Sequence, residues 1–381
     1  LADIKIEVVD SLEGVDPEAW DALTQGNPFV SHAFLHAMHT THCAVRRTGW
    51  QPQYLLLRDG NGEGDGLAGA MPLYLKGHSR GEYVFDHAWA EAFERHGIDY
   101  YPKLLSAVPF TPVRGPRLMA RDAASREALA HGAITLTQKY GISSLHVLFP
   151  DADDVIALRA AGYLLREGIQ FHWHNASYDS FDTFLAGMNH DKRKKIRQDR
   201  RRVTDAGVTF RHVQGSAITQ ADLDFFYRCY ASTYENHWSS PYLNPEFFRT
   251  LLTQMPDAVL LILAERDGVP IASALNILGD GVLYGRYWGS TEFVSGLHFE
   301  TCYLQAIEFC IRHGVQTFEG GAQGEHKMSR GLLPTPTWSA HWIADERFAE
   351  AIADFLERET KGMGRYLDEL ESHTPFKASA A

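Results

Sequence analysis

From Phe318 to Gly331 the chain reads Phe-Glu-Gly-Gly-Ala-Gln-Gly-Glu-His-Lys-Met-Ser-Arg-Gly, gathering Glu319, Glu325, His326, Lys327 and Arg330 in one short stretch. Glu319, Glu325 or His326 can take a proton from an amine nucleophile, and Lys327 or Arg330 can hold an acyl oxygen or a phosphate. Glycines at 320, 321 and 324 allow the backbone to turn after a strand that ends at Glu319, and polar loops at strand ends commonly carry function. A surface turn with incidental charges is the plainer alternative for the same residues.

Just upstream, Tyr284-Gly-Arg-Tyr-Trp-Gly-Ser-Thr-Glu-Phe-Val-Ser-Gly296 runs into a helical pattern beginning at Leu297. A strand, a Gly/Ser loop and a helix start can present backbone N–H groups to a phosphate. Arg286, Tyr287, Gly289, Ser290, Gly296 and His298 are therefore the candidate donor-binding set, with the loop Gly289 to Gly296 as the receiving element. An ordinary strand-to-helix turn would use the same residues. Arg286 sits in an apolar strand and requires a partner or solvent there.

Two further segments could bind an acceptor. The run Asp191 to Arg202 carries eight basic and two acidic residues, a local +6 that includes Lys192, Arg193 and Arg197. It reads either as a solvated helix face or as an anion site, for which Arg offers a bidentate fork. The stretch Tyr100 to Arg117 mixes prolines with aromatic and cationic residues. It reads as a rigid loop that lines a substrate groove through Tyr101, Lys103, Thr111 and Arg114, or that merely braces the fold.

The nineteen histidines do not form a metal pattern. His172 and His174 share a strand face, His298 and Glu300 are poorly spaced on a helix start, and no His-Glu-x-x-His occurs. Structural histidines and no metal are expected. Neither a Gly-x-Ser-x-Gly elbow, a Walker A loop nor a dinucleotide fingerprint is present, which removes support for hydrolase, NTPase and Rossmann readings.

The elements that must position these groups repeat. Tyr54 to Arg58 and Leu67 to Leu75, joined by the Gly/Asp-rich stretch Asp59 to Gly66, read as a hairpin. Val259 to Arg266, Asp267-Gly268 and Val269 to Leu278 read as another. An aromatic-rich helical segment precedes each, and a strand, a helix and a second strand follow. In the first half these are Tyr83 to Phe85, Ala88 to Arg95 and Leu145 to Phe149, with an extra helix at Ala123 to Tyr140. In the second they are Val282 to Trp288, Phe299 to His313 and Val315 to Glu319. This is the pattern of an α+β protein with two copies of one unit, divided as 1–178 and 179–381. The second copy includes the basic helix 191–202 and a C-terminal helix over Asp345 to Leu370.

The chain has 381 residues and a net charge of −12, so the basic run leaves −18 elsewhere. Phosphate binding rests on Lys and Arg, so whole-surface nucleic-acid binding, and DNA as a partner, are excluded. A local grip on one polyanion is not, and the acidic remainder would make it directional. Four scattered cysteines give no C-x-x-C pair, and no run of about 18 apolar residues marks a membrane span. A cytoplasmic location is expected.

Residues 285–331, with Leu297-His-Phe-Glu, Phe318-Glu-Gly-Gly321 and His326-Lys327 to Arg330-Gly331, resemble the C-terminal part of the Fem peptidoglycan aminoacyltransferases. Lys192 to Val208 is similar to the opening of their second domain. Nearly the whole chain resembles the Fem-like proteins associated with peptidoglycan biosynthesis or recognition, through Asn27-Pro-Phe-Val-Ser-His-Ala-Phe-Leu35, Gly81-Glu-Tyr-Val-Phe-Asp86, Tyr100-Tyr-Pro-Lys103 and Gly321-Ala-Gln-Gly-Glu-His-Lys327. The resemblance implies two tandem GNAT-like domains, each a mixed sheet flanked by helices. It implies N-acyl transfer to an amine, a cell-wall precursor or small molecule, from acyl-CoA or aminoacyl-tRNA as co-substrate, with no other cofactor. The clean CoA signature of GNAT enzymes is absent, and His326 stands where Fem enzymes carry Phe. A non-catalytic module that recognises a peptidoglycan fragment or other anionic ligand between the domains is the alternative.

Overall fold

The computed structural model describes residues 5–58, 66–235, 238–321 and 324–377. Its contacts gather the chain into two compact units, one of residues 1–168 with 336–365 and the other of 169–335 with 366–381. The change of unit thus falls at 168/169, against 178/179 in the sequence reading, and a later stretch returns to the first unit.

The first unit contains strands β1 (Lys5–Val9), β2 (Trp50–Pro52), β3 (Tyr54–Arg58), β4 (Leu67–Met71), β5 (Tyr74–Lys76), β6 (Lys103–Ser106), β7 (Met119–Ala120) and β8 (Ser144–Leu148). Its helices are α1 (Pro17–Asp21), α2 (His32–Thr40), α3 (His87–Arg95), α4 (Ala123–Tyr140) and α5 (Ala152–Ala160). One sheet runs β1-β3-β4-β7. The other runs β2-β5-β6-β8, with β6 and β8 parallel. Helix α4 begins where Asp122 caps the Ser125 amide and ends where Gly141 adopts φ 63°, so both ends are written in the sequence. Leu57, Leu104, Leu129, Ala133, Leu145 and Val147 meet in its core.

The second unit takes up strand β9 (Leu164–His174) from residue 169, then β10 (Val208–Gln214), β11 (Val259–Arg266), β12 (Val269–Gly279), β13 (Val282–Ser290) and β14 (Thr317–Glu319). Its helices are α6 (Phe181–Gly187), α7 (His190–Asp205), α8 (Gln220–Glu235), α9 (Pro245–Gln254), α10 (Leu297–Phe299) and α11 (Gln305–His313). The sheet order is β10-β11-β12-β13-β14-β9, antiparallel except for β13 with β14. The β11–β12 turn is Asp267-Gly268 at φ 53° and 75°, the left-handed pair that a two-residue hairpin of type I′ requires. Trp173, Phe184, Leu283, Ile307, Phe309 and Phe318 fill its core.

The chain closes with β15 (Leu333–Ile343) and α12 (Glu346–Ser372). Residues 339–343 of β15 pair antiparallel with β8 and so complete the first unit's sheet. The fold is α+β, with mixed sheets flanked by helices in both units.

Three expectations about elements change. Tyr83 to Phe85 is not a strand, because Gly81 and Tyr83 both take positive φ (80° and 63°) and Phe85 is exposed. Part of the proline-rich stretch Tyr100 to Arg117 is strand β6, buried in its sheet rather than a loop. The helix expected from Phe299 to His313 is interrupted by a π turn over Glu300–Leu304. The turn expected after Arg58 falls mostly on residues outside those described.

Candidate functional site

In the second unit β13 and β14 pair only from Val282 to Tyr284 against Thr317 to Glu319. There β14 ends, while β13 continues to Ser290. Pairing of β12 with β13 slips between Leu275, opposite Tyr287, and Asn276, opposite Gly285, so Arg286 is the extra residue of a bulge. Bulges of this kind re-aim side chains and are frequent beside active sites. Beyond the last paired residues lies a cavity of about 100 Å³, with Arg286, Tyr287 and Trp288 on one wall, Phe318 and Gly320 on another, and Asn276 from β12. The helical segment after Gly296 supplies His298, Cys302 and Tyr303. The π turn bears the last two, and such turns often mark functional sites.

The Arg286 guanidinium donates to Glu319 Oε1 at 2.6 Å, with both side chains almost wholly buried (2% and 3% exposed). This pair ties the bulge to the end of β14. It also changes the expected role of Glu319, whose carboxylate is engaged by a cation in the ground state. Lys327 is buried too, and its Nζ donates to the Gly321 carbonyl at 3.0 Å. Burial, reinforced by the Arg286 charge and opposed by Glu319, pushes Lys327 down to about 8. His298 is pushed down to about 4 by burial and then by His326, Arg330 and Lys327. His326, at the exposed side, is lowered for the same reasons, and its ring lies 5.7 Å from that of Phe299. Arg330 spans the Phe299 ring at 3.7 Å and donates to the His326 carbonyl at 3.0 Å. Glu325 is exposed and accepts from the Tyr366 hydroxyl.

The structure thus brings Arg286, Tyr287 and His298 to the wall of one cavity, with Glu319 paired to Arg286 and Lys327 beside Gly320 behind it, and His326 and Arg330 farther out. The expected receiving loop is shorter than Gly289 to Gly296. Gly289 and Ser290 belong to β13, and a Cβ on Gly289 would stand 1.9 Å from the Cys229 carbonyl oxygen of α8. Gly289 serves close packing of strand on helix. Gly296 does start the following helix, at φ 88°.

On α7, Ile196 and Val203 are buried, so the helix is not positive all round. Arg200 is engaged by Glu300 and Glu308 at 3.0 and 2.7 Å. Arg193 and Arg197, with His190, Lys194 and Arg201, line a shallow depression of about 410 Å³, and Lys192 is exposed outside it. Arg197 lies 3.5 Å from Asp182.

The four candidates of the first unit do not converge on the groove that Tyr101 borders. Lys103 is fully buried, donating to Glu82 at 2.7 Å, to Ser79 at 2.7 Å and to Asp86, so it is a core ion partner rather than a groove residue. Thr111 is buried, and Arg114 is exposed with its carbonyl accepting from Asn27 Nδ2 at 3.0 Å. Tyr101, half-buried, bonds Ser79 at 2.8 Å and borders a groove of about 620 Å³ with Glu91 and Glu94.

The sequence reading missed Asn276, Trp288, Cys302 and Tyr303. Asn276 had a signal: one amide within the apolar run Ile271-Ala-Ser-Ala-Leu-Asn-Ile-Leu278, where a buried polar residue needs a reason. Among the described residues no three His, Cys, Asp or Glu stand close enough to hold a metal, and no helix is long and apolar enough to cross a membrane.

Residues 11–378 match the model of a family, FemAB-like, described as peptidoglycan biosynthesis/recognition. Among solved structures, FemX superposes with a TM-score of 0.57 at 13% identity, over 89% of this chain and 98% of that one. L-PGS from Bacillus licheniformis gives 0.55 at 10% identity, covering 92% and 97%. A conserved protein of unknown function from Bacteroides thetaiotaomicron gives 0.53 at 11% identity, covering 90% and 100%. At these identities the likeness concerns the fold alone. No curated protein matches the chain.

Proposed function

We propose, from the premise that the chain belongs to the FemAB-like family, that it is an N-acyltransferase moving an acyl or aminoacyl group from an activated donor, acyl-CoA or aminoacyl-tRNA, to an amine on a cell-wall precursor. The observation that carries this reading is the cavity at the parting of β13 and β14, with the buried Lys327 side chain packed beside Gly320 of its wall. The amine lone pair attacks the donor carbonyl, a C–N bond forms, and the bond to the carrier sulfur or oxygen breaks. The departing carrier takes the proton that the amine gives up. Charge develops on the carbonyl oxygen in between, and a buried cation aimed at it is worth far more than one in water. Lys327 supplies that cation, and Arg286 holds the bulge in position through Glu319. His298 and His326, kept neutral by burial and neighbouring cations, are the candidate proton acceptors. The face of α7 around Arg193 and Arg197 grips the phosphates of the carrier.

The test is Lys327→Ala assayed with acyl-CoA and aminoacyl-tRNA donors against amine acceptors. Transfer should fall about 10²–10³-fold, the usual cost of one oxyanion donor. In the unaltered protein it should decline as pH rises through about 8, where Lys327 loses its charge. Full transfer by Lys327→Ala would remove the assignment.

A further inference from the structure

The turn over Glu300–Leu304 is wider than an α-helical one, and the Gln305 amide donates to the carbonyl of Glu300, five residues back. The side chains of the same two residues also meet, with Gln305 Nε2 donating to Glu300 Oε1 at 2.8 Å. At 3.6 residues per turn, positions five apart on an α-helix stand about 140° from each other, so this bond exists only while the turn is wide. Glu300 is 3% exposed, and the same carboxylate oxygen faces Arg200 of α7 at 3.0 Å. Burial pushes the Glu300 carboxyl up, and the Arg200 charge is the foremost influence opposing it.

Residues on either side of the turn are anchored differently. Beyond it, Ile307, Phe309 and Cys310 of α11 are set in the core of the unit. On it stand Cys302 and Tyr303, and before it His298, all three lining the cavity. Tightening the turn to α geometry would take out one residue, a rotation of about 100°. Since α11 is fixed in the core, that rotation would fall on the three wall residues. Helix α7 also braces the start of the segment, because a Cβ on Gly296 would lie 3.6 Å from the Asp199 carbonyl oxygen. The Asp199 carboxylate in turn stands 4.0 Å from Arg330, on the turn Glu325–Arg330 that carries Lys327. Two adjacent residues of α7 therefore meet both helical elements of the site, while Arg193, Arg197 and Arg201 of the same helix line the basic depression.

We propose that Glu300 is a positioning residue: clamped between Arg200 and Gln305, it keeps the π turn wide and so keeps His298, Cys302 and Tyr303 in the cavity wall. This rests on the transferase reading and deepens it, by joining the helix that grips the carrier to the wall of the reacting site.

Cys302 reports the state of the turn. It is partly exposed, but burial pushes its thiol up, with Lys327 opposing, so alkylation is slow in the unaltered chain. Cys229 and Cys310 of the same unit are buried and report general opening. Iodoacetamide labelling of the full chain, read by peptide mass spectrometry, should be about tenfold faster at Cys302 in Glu300→Ala, with Cys229 and Cys310 unchanged. In transfer assays with the donors named above, kcat should fall about tenfold to a hundredfold while KM for the donor stays within about twofold, the split expected when wall residues are misplaced and carrier binding is intact. If Glu300→Ala fails to fold, Gln305→Met, which keeps the volume and removes the amide, carries the same expectations. Equal acceleration at all three cysteines is general loosening and overturns the proposal, as does unchanged labelling at Cys302 or a raised KM with kcat intact. Fast labelling confined to Cys302, in a protein that transfers from neither donor before or after substitution, would keep the clamp and remove the transferase reading. Normal transfer and unchanged labelling in a folded Glu300→Ala would remove the clamp and leave that reading intact.

Discussion

Replacing Glu319 by Gln removes one charge from the Arg286–Glu319 pair with almost no change of volume. At 2.6 Å and an effective dielectric near 20, the attraction between the two charges is about 6 kcal/mol. Part of it offsets the cost of taking both groups out of water, but in the variant the Arg286 charge stays buried without that carboxylate. Breaking such a pair from one side usually costs about 3–5 kcal/mol. For a unit of this size, roughly 2–4 °C of melting temperature accompany each kcal/mol, so the second unit should melt roughly 6–20 °C lower. Scanning calorimetry of the full chain reads this, with Glu94→Gln on the first unit's groove as a control that should move nothing. Replacing both partners, Arg286→Met with Glu319→Leu, should recover most of the loss, because an apolar pair of similar volume needs no compensation. A shift under about 2 °C in Glu319→Gln, with transfer abolished, would refute the reasoning and restore Glu319 as a proton acceptor.

Two further outcomes follow from the same geometry. The unfolded chain takes a proton on His298 near the ordinary histidine value of about 6.5, whereas the folded chain resists it down to about 4. Stability of the second unit should therefore rise with pH between about 4 and 6.5, and His298→Phe should flatten that rise in melting temperatures taken at both ends. Reversing Arg193 and Arg197 to Glu should weaken CoA binding more than tenfold and reduce its dependence on salt. A salt dependence as steep as that of the unaltered chain would exclude this face from phosphate binding.

The parts of the fold that were legible in the sequence are those whose causes are local. The ends of α4 are set by Asp122 and Gly141, and the β11–β12 hairpin by Asp267-Gly268, so the expected bounds of α4 and the expected turn match the structure. Strand β6 was hidden by the prolines around it, and β15 by distance: its partner β8 lies almost two hundred residues earlier, and no local pattern records that pairing. The site divides in the same way. Lys327 and Arg286 announced themselves as charged residues in glycine-rich surroundings. Asn276 comes to the cavity only because the bulge sets it opposite Gly285, a property of the assembled sheet. Lys103 misled for the opposite reason, since Glu82 and Asp86, which bury it, are spread along the preceding chain.

The return of residues 336–365 to the first unit has a consequence in time. During synthesis the strand that completes the sheet beside β8 emerges only after the second unit's strands β10 to β14 have been made. At about 5–20 residues per second, the first unit waits roughly ten to thirty-five seconds with the β8 edge uncovered. An uncovered strand edge is a template for pairing with other chains. The first unit therefore cannot finish folding as an N-terminal fragment, and a chain stopped near residue 178 should aggregate where the full chain does not.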